Sequence, residues 1–281
     1  MSTRKPNDYK SNVKPIWCPG CGDFAVLNAM MRAFAELDWN HEDIVVASGI
    51  GCSSRFPAFL KTYGFHGVHG RALPLATGIK LGNPALHVIA VGGDGDGFSI
   101  GGGHFPHAAR RNIPLPYVMM DNSIYGMTKG QPSPTSLPGL RVKASPYGSL
   151  EPPLNPLVMS LAAQATFVAR AFSGELKQLI AILIEALQHP GFAFVQVLSP
   201  CVTYNTNYTY DYYRKLTAPL PEEHDTSDWL SAMRWASDPQ KQYLGIFYRD
   251  TSRPNLIEQM EQVRQSVPAM SLEQIVDSFR R

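Results

Sequence analysis

The sequence predicts an α/β protein built on a parallel sheet with helices on both faces. Between residues 44 and 198, apolar runs of strand length alternate with segments of helix length, which is the pattern of repeated β–α–β units. Several of the apolar runs end in glycine-rich or polar motifs. Parallel sheets bind ligands outside the carboxyl ends of their strands, so these motifs hold the candidate functional residues.

The predicted elements follow one another in a regular order. A first helix over residues 24–37 has apolar residues at helical spacing. Strands and helices then alternate through right-handed crossovers. The strands cover residues 44–48, 86–92, 115–121, 166–170 and 191–198, and the helices cover 71–82, 101–111, 156–164 and 174–188. Residues 133–156 are rich in Pro, Gly and Ser and are expected to form an ordered loop.

The sheet pattern stops after Cys201, which divides the chain into two predicted units. Residues 1–202 form a ligand-binding domain, and residues 203–281 form an irregular C-terminal arm with short helices at 255–266 and 271–280. The arm begins with a tyrosine-rich stretch that has no clean period. We expect it to pack either on its own domain or on a partner subunit.

Composition excludes several classes of function. The chain has 281 residues and a formal net charge of +2, which gives no support for a nucleic-acid partner. No apolar run reaches the roughly 20 residues that span a bilayer, and the first residues lack the hydrophobic core of a signal peptide. We therefore expect a cytoplasmic protein without a membrane partner.

Hard oxygen ligands follow two neighbouring predicted strands. Asp94 lies in a Gly-Asp-Gly turn after one strand, and Asn122 follows the next, so the two side chains would emerge side by side. Such ligands suit Mg²⁺ at ~2.1 Å, and the glycines let backbone N–H groups approach a phosphate. The alternative is a glycine-rich turn capped by a carboxylate. With Asn122, the turn resembles the diphosphate-binding signature of thiamine diphosphate enzymes, which implies Mg²⁺ bound by Asp94, Asn122 and the backbone carbonyl of Ile124.

The cysteines form a second candidate site. Cys18 and Cys21 make a C-x-x-C turn with glycines, whereas Cys52 and Cys201 each follow a predicted strand. Disulfides are rare in the cytosol, and four converging thiolates fit either Zn²⁺ or a [4Fe–4S] cluster. Spacing alone does not separate these two, and four unrelated thiols or a thioredoxin-like pair are further alternatives.

Together, the C-P-G-C-G turn, the Gly-Asp-Gly signature and the two single cysteines resemble the β subunit of 2-oxoacid:ferredoxin oxidoreductases over at least residues 17–201. The resemblance implies one [4Fe–4S] cluster on all four cysteines, close to thiamine diphosphate and Mg²⁺. It also implies a set of residues that line the cofactor: Ile50, Gly51, Cys52, Ser53, His69, Gly95, Asp96, Asn122, Gly126 and Met127.

The same resemblance implies an incomplete enzyme. Its α subunit supplies the pyrimidine-binding domain and the glutamate that thiamine diphosphate needs, in an αβ heterodimer or an (αβ)₂ assembly. Ferredoxin is the implied redox partner, and a 2-oxoacid and coenzyme A are the implied substrates. The sequence does not indicate the direction of the reaction.

Lys129 and His69 are the candidate catalytic residues. The stretch TKGQ-x-SPT around Lys129 resembles the branch that acts on 2-oxoglutarate or a broad range of 2-oxoacids, and a cation there could pair with a second substrate carboxylate. A solvated lysine and a core histidine are the simpler readings, and Arg71 is a second candidate cation. The rival functions are a pyruvate or broad-range enzyme of the same family, a non-oxidative thiamine diphosphate lyase with structural zinc, and a zinc-stapled nucleotide-binding adaptor.

Overall fold

One mixed sheet of eight strands organises the protein, whose computed structural model describes residues 3–280. All pairs of neighbouring strands but one are parallel. The strands are β1 (Ile44–Ser48), β2 (Tyr63–His66), β3 (His87–Gly93), β4 (Pro116–Asp121), β5 (Phe167–Phe172), β6 (Ala193–Leu198), β7 (Thr217–Pro219) and β8 (Gln242–Arg249), in the order β2-β1-β3-β4-β6-β5-β8-β7.

The described part of the chain also contains ten α-helices. They are α1 (Asp23–Glu36), α2 (Ala72–Gly82), α3 (Asp94–Phe98), α4 (Phe105–Arg110), α5 (Pro156–Ala162), α6 (Leu176–Gln188), α7 (Tyr210–Leu216), α8 (Trp229–Ala236), α9 (Leu256–Ser266) and α10 (Leu272–Ser278). Between residues 3 and 280, no helix combines the length and the apolar content that crossing a membrane requires.

Helices cover both faces of the sheet, as the continuous apolar strands predicted. In β1, Ile44 and Val46 pack into one hydrophobic cluster with α1 and α6. Val45 and Ala47 point the opposite way, into a second cluster with α2, α4, α5 and α8. Every residue of β1, β4, β5 and β6 is buried, because both sides of these strands are occupied. The predicted α/β fold class is confirmed.

Four adjacent parallel strands have their carboxyl ends at one edge of the sheet. They are β1, β3, β4 and β6, and the register pairs the last residue of β3 with Met120 and the last residue of β4 with Leu198. Because the strands are parallel and in register, the segments that follow them emerge side by side. This edge carries the candidate site.

The sheet continues beyond Cys201, so the reading that its pattern stops there is wrong. Strand β8 pairs with β5 and is itself paired with β7. Only Leu244 and Phe247 of β8 are buried, and Gly245 has a φ of +141°, so the strand lacks the alternation that marks a half-buried strand. The residues from α7 to β8 thus pack on their own domain, whereas α9 and α10 contribute no buried residue.

Candidate active site

A cavity of about 260 Å³ opens at the carboxyl ends of β1, β3 and β4. It brings together all ten residues predicted to line the cofactor and all three predicted Mg²⁺ ligands. Its walls are Ile50, Gly51, Cys52, Ser53, His69, Gly93, Asp94, Gly95, Asp96, Asn122, Ile124, Tyr125, Gly126, Met127 and Thr128. We call this space the cofactor cavity.

Asp94 is the first residue after β3, and only 2% of it is exposed. Its Oδ2 accepts hydrogen bonds from the hydroxyl of Ser133 and, at 2.8 Å, from the hydroxyl of Thr135. Burial and the nearby carboxylate of Asp121 raise the pKa of Asp94 above its ordinary value. A cation in the cavity would stabilise the charged form of this buried carboxylate, so the position of Asp94 fits a metal ligand.

Asn122 and Ile124 follow β4 on the other side of the cavity. The Asn122 side-chain oxygen accepts the Ile124 amide at 3.1 Å, which fixes a tight turn. The Ile124 carbonyl accepts the Gly126 amide at 3.0 Å and retains a second lone pair. One carboxylate, one amide and one carbonyl therefore line the same cavity, which is a set of hard oxygen donors that suits Mg²⁺.

Asp96 connects, through hydrogen bonds, the loops that form the opposite wall of the cofactor cavity. Its Oδ1 accepts the backbone amides of Ile50 at 2.9 Å and Gly70 at 2.8 Å, and it lies 2.9 Å from His69 Nδ1. These bonds join the loop after β1 to the loop before α2. His69 is thus held by Asp96 at the cavity wall rather than packed in the core.

The four cysteines line a second cavity of about 180 Å³, which we call the cysteine cavity. Cys52 and Cys201 reach it from the ends of β1 and β6, as predicted. The N-terminal arm brings Cys18 and Cys21, since the Gly22 amide donates to the Pro200 carbonyl at 3.2 Å.

Burial dominates the electrostatics of the cysteine cavity. It raises the pKa of Cys52 to about 11, and burial together with the carboxylate of Asp23 raises the pKa of Cys21. Burial also raises the pKa of Asp23 to about 6. A cationic metal centre would offset this cost, because it deprotonates coordinating thiols.

The two cavities share a wall. Cys52, Asn122, Gly126 and Met127 line both. A Cβ placed on Gly126 would lie 3.4 Å from the Cys201 sulfur and 3.9 Å from the Cys52 sulfur. Glycine at this position therefore keeps space open between the cofactor cavity and the cysteines.

If the four cysteines hold an iron–sulfur cluster, as the resemblance implies, Gly126→Ala is expected to lower the iron and sulfide content of the purified protein by about half or more, because the added methyl group would take up space beside the Cys201 and Cys52 sulfurs that the cluster would need. Metal and sulfide analysis after anaerobic purification measures this. Gly78→Ala is the matched control, because a Cβ on Gly78 meets nothing within 4 Å. Equal iron in the two variants would contradict the assignment of Gly126 to this wall.

Lys129 and Arg71 lie outside the residues that line the cofactor cavity. Lys129 is exposed in the turn next to Thr128, with a φ of +77°, a left-handed conformation uncommon for a residue with a side chain. Its amide donates to the Gly126 carbonyl at 3.1 Å, so the turn is fixed at the mouth of the cavity. Arg71 is exposed, and its guanidinium lies 3.5 Å from the Ile100 carbonyl.

Sequence reasoning missed the polar residues that hold the predicted ligands in place. Ser133 and Thr135 contact Asp94 from the predicted loop, and Asn205 donates to the Asn122 carbonyl at 2.9 Å. These contacts join residues 39 to 83 positions apart, which no local pattern reveals. The available signal was a cluster of hydroxyl residues in the SPTS segment after the glycine-rich turn.

Two protein families match the chain. Residues 49–197 match the thiamine pyrophosphate enzyme C-terminal TPP-binding domain, and residues 201–265 match the C-terminal part of the pyruvate ferredoxin oxidoreductase beta subunit. The first match begins directly after β1 and ends within β6, so it includes β3, β4 and the segments that follow β1, β3 and β4 into the cofactor cavity. The predicted thiamine diphosphate-binding domain is confirmed.

Individual relatives agree with this assignment. The chain is 44% identical to subunit beta of 2-oxoacid:ferredoxin oxidoreductase 1 from Aeropyrum pernix, over 86% of this chain and 75% of that protein. It is 48% identical to the 2-oxoglutarate oxidoreductase subunit KorB of Mycobacterium tuberculosis, over 75% of this chain and 57% of the relative.

A solved structure is also similar. It is a 2-oxoglutarate:ferredoxin oxidoreductase from Magnetococcus marinus with 2-oxoglutarate, coenzyme A and succinyl-CoA bound. The two chains are 46% identical and superpose with a TM-score of 0.96, over 99% of this chain and 97% of that one. The chain therefore belongs to the 2-oxoacid:ferredoxin oxidoreductase family, as a β subunit that carries the thiamine diphosphate-binding domain.

Proposed function

We propose that this chain is the β subunit of a 2-oxoglutarate:ferredoxin oxidoreductase. The reaction is the coenzyme A-dependent oxidative decarboxylation of 2-oxoglutarate to succinyl-CoA and CO₂, or its reverse, with electrons exchanged with ferredoxin. The observation that carries the proposal is the wall shared by the cofactor cavity and the cysteine cavity. A site for a carbon–carbon bond reaction beside a site for electron transfer is the arrangement that this chemistry needs.

In this proposal, Asp94, Asn122 and the Ile124 carbonyl hold Mg²⁺, and the glycine-rich segment after β3 binds the diphosphate. Thiamine diphosphate supplies the electron sink for decarboxylation of the 2-oxoacid, and the protein supplies position and electrostatics. Gly95 has no room for a side chain, because a Cβ there would lie 2.2 Å from the Tyr125 ring. The Tyr125 hydroxyl donates to the Gly95 carbonyl at 3.2 Å and fixes this segment.

We assign one [4Fe–4S] cluster to Cys18, Cys21, Cys52 and Cys201. A structural zinc needs four ligands at about 2.3 Å from one ion. The four cysteines instead surround a cavity of about 180 Å³, which favours a larger metal centre over the zinc alternative.

We assign the glutamate that activates the cofactor to an α subunit. Among the residues that line the cofactor cavity, the carboxylates are Asp94 and Asp96, and both are already engaged with hydroxyl or backbone donors. Around the same opening, Ile50 and Met127 are each 37% exposed. An incomplete site with an apolar rim fits a partner subunit that covers it, in an αβ or (αβ)₂ assembly.

Two observations support 2-oxoglutarate as the substrate. Several similar chains carry the name of a 2-oxoglutarate enzyme, and the similar solved structure has 2-oxoglutarate bound. The turn that contains Lys129 offers a cation at the cavity mouth for the second carboxylate of this substrate. A pyruvate or broad-range activity is the alternative, since the match over residues 201–265 is to a pyruvate enzyme.

Lys129→Ala is expected to lower kcat/KM for 2-oxoglutarate by roughly 10- to 100-fold, from the loss of a charged hydrogen bond of about 1.5–3 kcal/mol. Pyruvate has no second carboxylate, so its kcat/KM should change little or rise. Steady-state assays of the αβ complex with both substrates measure this. Lys177→Ala on the exposed face of α6 is the matched control. Equal losses of kcat/KM for both substrates would mean that Lys129 contributes to cofactor binding or to folding rather than to substrate recognition.

The proposed activity is tested with the co-expressed αβ complex, purified without oxygen. We expect coenzyme A-dependent ferredoxin reduction with 2-oxoglutarate, and a kcat/KM for 2-oxoglutarate well above that for pyruvate. A preference for pyruvate would support the alternative. Acceptor-independent decarboxylation would instead support the non-oxidative lyase.

A further inference from the structure

A buried polar network lies directly beneath the proposed Mg²⁺ site. The Thr135 hydroxyl is 2.8 Å from Asp94 Oδ2 and 2.8 Å from Asp121 Oδ1, so it bridges the two carboxylates. Thr135 has one hydroxyl hydrogen and donates it to one carboxylate at a time. The Ser123 amide and hydroxyl also donate to Asp121 Oδ1, at 3.0 and 3.2 Å. These contacts fix Asp121 and Thr135 relative to the turn that contains Asn122.

The network continues from Asp121 to a buried cation. The Gln196 side chain donates to Asp121 Oδ2 at 2.7 Å and accepts from Arg170 Nε at 2.9 Å. Arg170 is only 4% exposed, and its guanidinium also lies 5.7 Å from the centre of the Phe247 ring. The amide of Gln196 therefore connects a buried anion to a buried cation, which is how proteins tolerate charges away from water.

The network also separates two cavities. Asp94 lines the cofactor cavity, whereas Asp121, Thr135, Gln196 and Arg170 line a different, polar cavity of about 310 Å³. Thr135 contacts Asp94 from the side of this second cavity. The position of the Asp94 carboxylate thus depends on hydroxyl donors rather than on close apolar packing.

We propose that Thr135 is a positioning residue for Mg²⁺ binding, held in place by Asp121, which Gln196 and Arg170 hold in turn. Its hydroxyl orients the Asp94 carboxylate toward the cofactor cavity, and Arg170 balances the charge of Asp121 so that two carboxylates can be buried close together. Hydrogen-bond partners that orient metal ligands contribute strongly to metal affinity. This inference rests on the proposed function, because it presumes that Asp94 binds Mg²⁺.

The test measures the Mg²⁺ concentration that gives half-maximal thiamine diphosphate retention by the αβ complex after chelation and desalting. Thr135→Val keeps the shape of the side chain and removes its hydroxyl, so it should raise this concentration by about 10- to 100-fold. Thr135→Ser should restore a value near that of the unchanged protein. Iron content should remain unchanged in both variants, because Thr135 does not line the cysteine cavity.

Thr166→Val is the matched control for the loss of a buried hydroxyl. Thr166 is 1% exposed, and its hydroxyl bonds Asn112 at 2.7 Å, just before β5 and at the opposite edge of the sheet. It should leave the Mg²⁺ requirement unchanged. Should Thr135→Val fail to fold, Thr135→Ala provides the same measurement.

The outcomes separate this inference from the proposed function. If Asp94→Ala loses Mg²⁺-dependent retention and the Thr135 variant that folds does not, the positioning role is wrong and the metal site stands. The same shift in Thr166→Val and Thr135→Val would also overturn the positioning role. If Asp94→Ala itself retains the cofactor normally, the proposed metal site is wrong, whatever the result with the Thr135 variants.

Discussion

Asp94→Ala is expected to raise the Mg²⁺ concentration needed for thiamine diphosphate retention by more than about 100-fold, since loss of a ligand should exceed the 10- to 100-fold cost of losing a partner of a ligand. Asp94 is the carboxylate among the three proposed ligands and supplies the negative charge that attracts the cation. Asp94 is only 2% exposed, so its carboxylate is held at the cavity wall, and the substitution removes that charge from the proposed site. Cofactor release after desalting, followed over a Mg²⁺ titration, measures the change.

Two controls make this result specific. Iron and sulfide content should stay near normal in Asp94→Ala, because Asp94 does not line the cysteine cavity. Asp43→Ala removes an exposed carboxylate just before β1 and should bind the cofactor normally. Stoichiometric thiamine diphosphate in purified Asp94→Ala would remove Asp94 from the metal site.

Cys201→Ser is expected to remove most of the iron and sulfide from the anaerobically purified complex. Thiolate sulfur is the ligand that iron–sulfur clusters use, and this chain has four cysteines in all, so no spare thiol can substitute. The Cys201 backbone is held in place, since its carbonyl accepts the Asn205 amide at 3.2 Å. Iron and sulfide analysis, with the visible absorption of the cluster, measures the loss.

Val202→Ser is the control for Cys201→Ser. Val202 lines the same cavity and is 43% exposed, so the substitution changes the polarity of the wall without removing a thiol. Its iron content should stay close to that of the unchanged complex. If Cys201→Ser kept its full iron and sulfide, the cluster would have to rest on other ligands.

The sequence predicted the part of the fold whose signal is local. Strands β1, β3, β4, β5 and β6 lie within two residues of their predicted bounds, because strands buried on both faces form continuous apolar runs. The helix predicted over 101–111 begins instead as a 3-10 turn and becomes α4 at Phe105. Three consecutive glycines at 101–103 favour that irregular start.

The strands β2 and β8 lack the continuous apolar runs that mark the buried strands. All four residues of β2 are exposed, so their composition does not reveal a strand. In β8, the pairing with β5 is interrupted by an irregularity between Val168 and Ala169, which breaks the register that alternation would follow. These strands are determined by their partners in the sheet rather than by their own sequence.

The candidate site also contains residues that a local motif predicts and residues that it does not. Asp94, Asn122 and the four cysteines could be predicted because each lies in a short motif or just after a strand. Asp121, Thr135 and Arg170 could not, because their roles depend on contacts between residues far apart in the chain. Lys129 remains a prediction, since its exposed side chain lies outside the residues that line the cofactor cavity.

The central proposal is that the cofactor and the cluster lie on either side of the wall shared by the two cavities. It is tested most directly by mixing the αβ complex with its substrates in the absence of oxygen. Without ferredoxin or another acceptor, 2-oxoglutarate and coenzyme A should reduce the proposed iron–sulfur centre by one electron, seen as loss of its visible absorption and the appearance of an electron paramagnetic resonance signal, and the second electron of the oxidation should leave only when an acceptor is added. The same complex stripped of thiamine diphosphate should show no change. Release of CO₂ without any reduction of the centre would contradict the account.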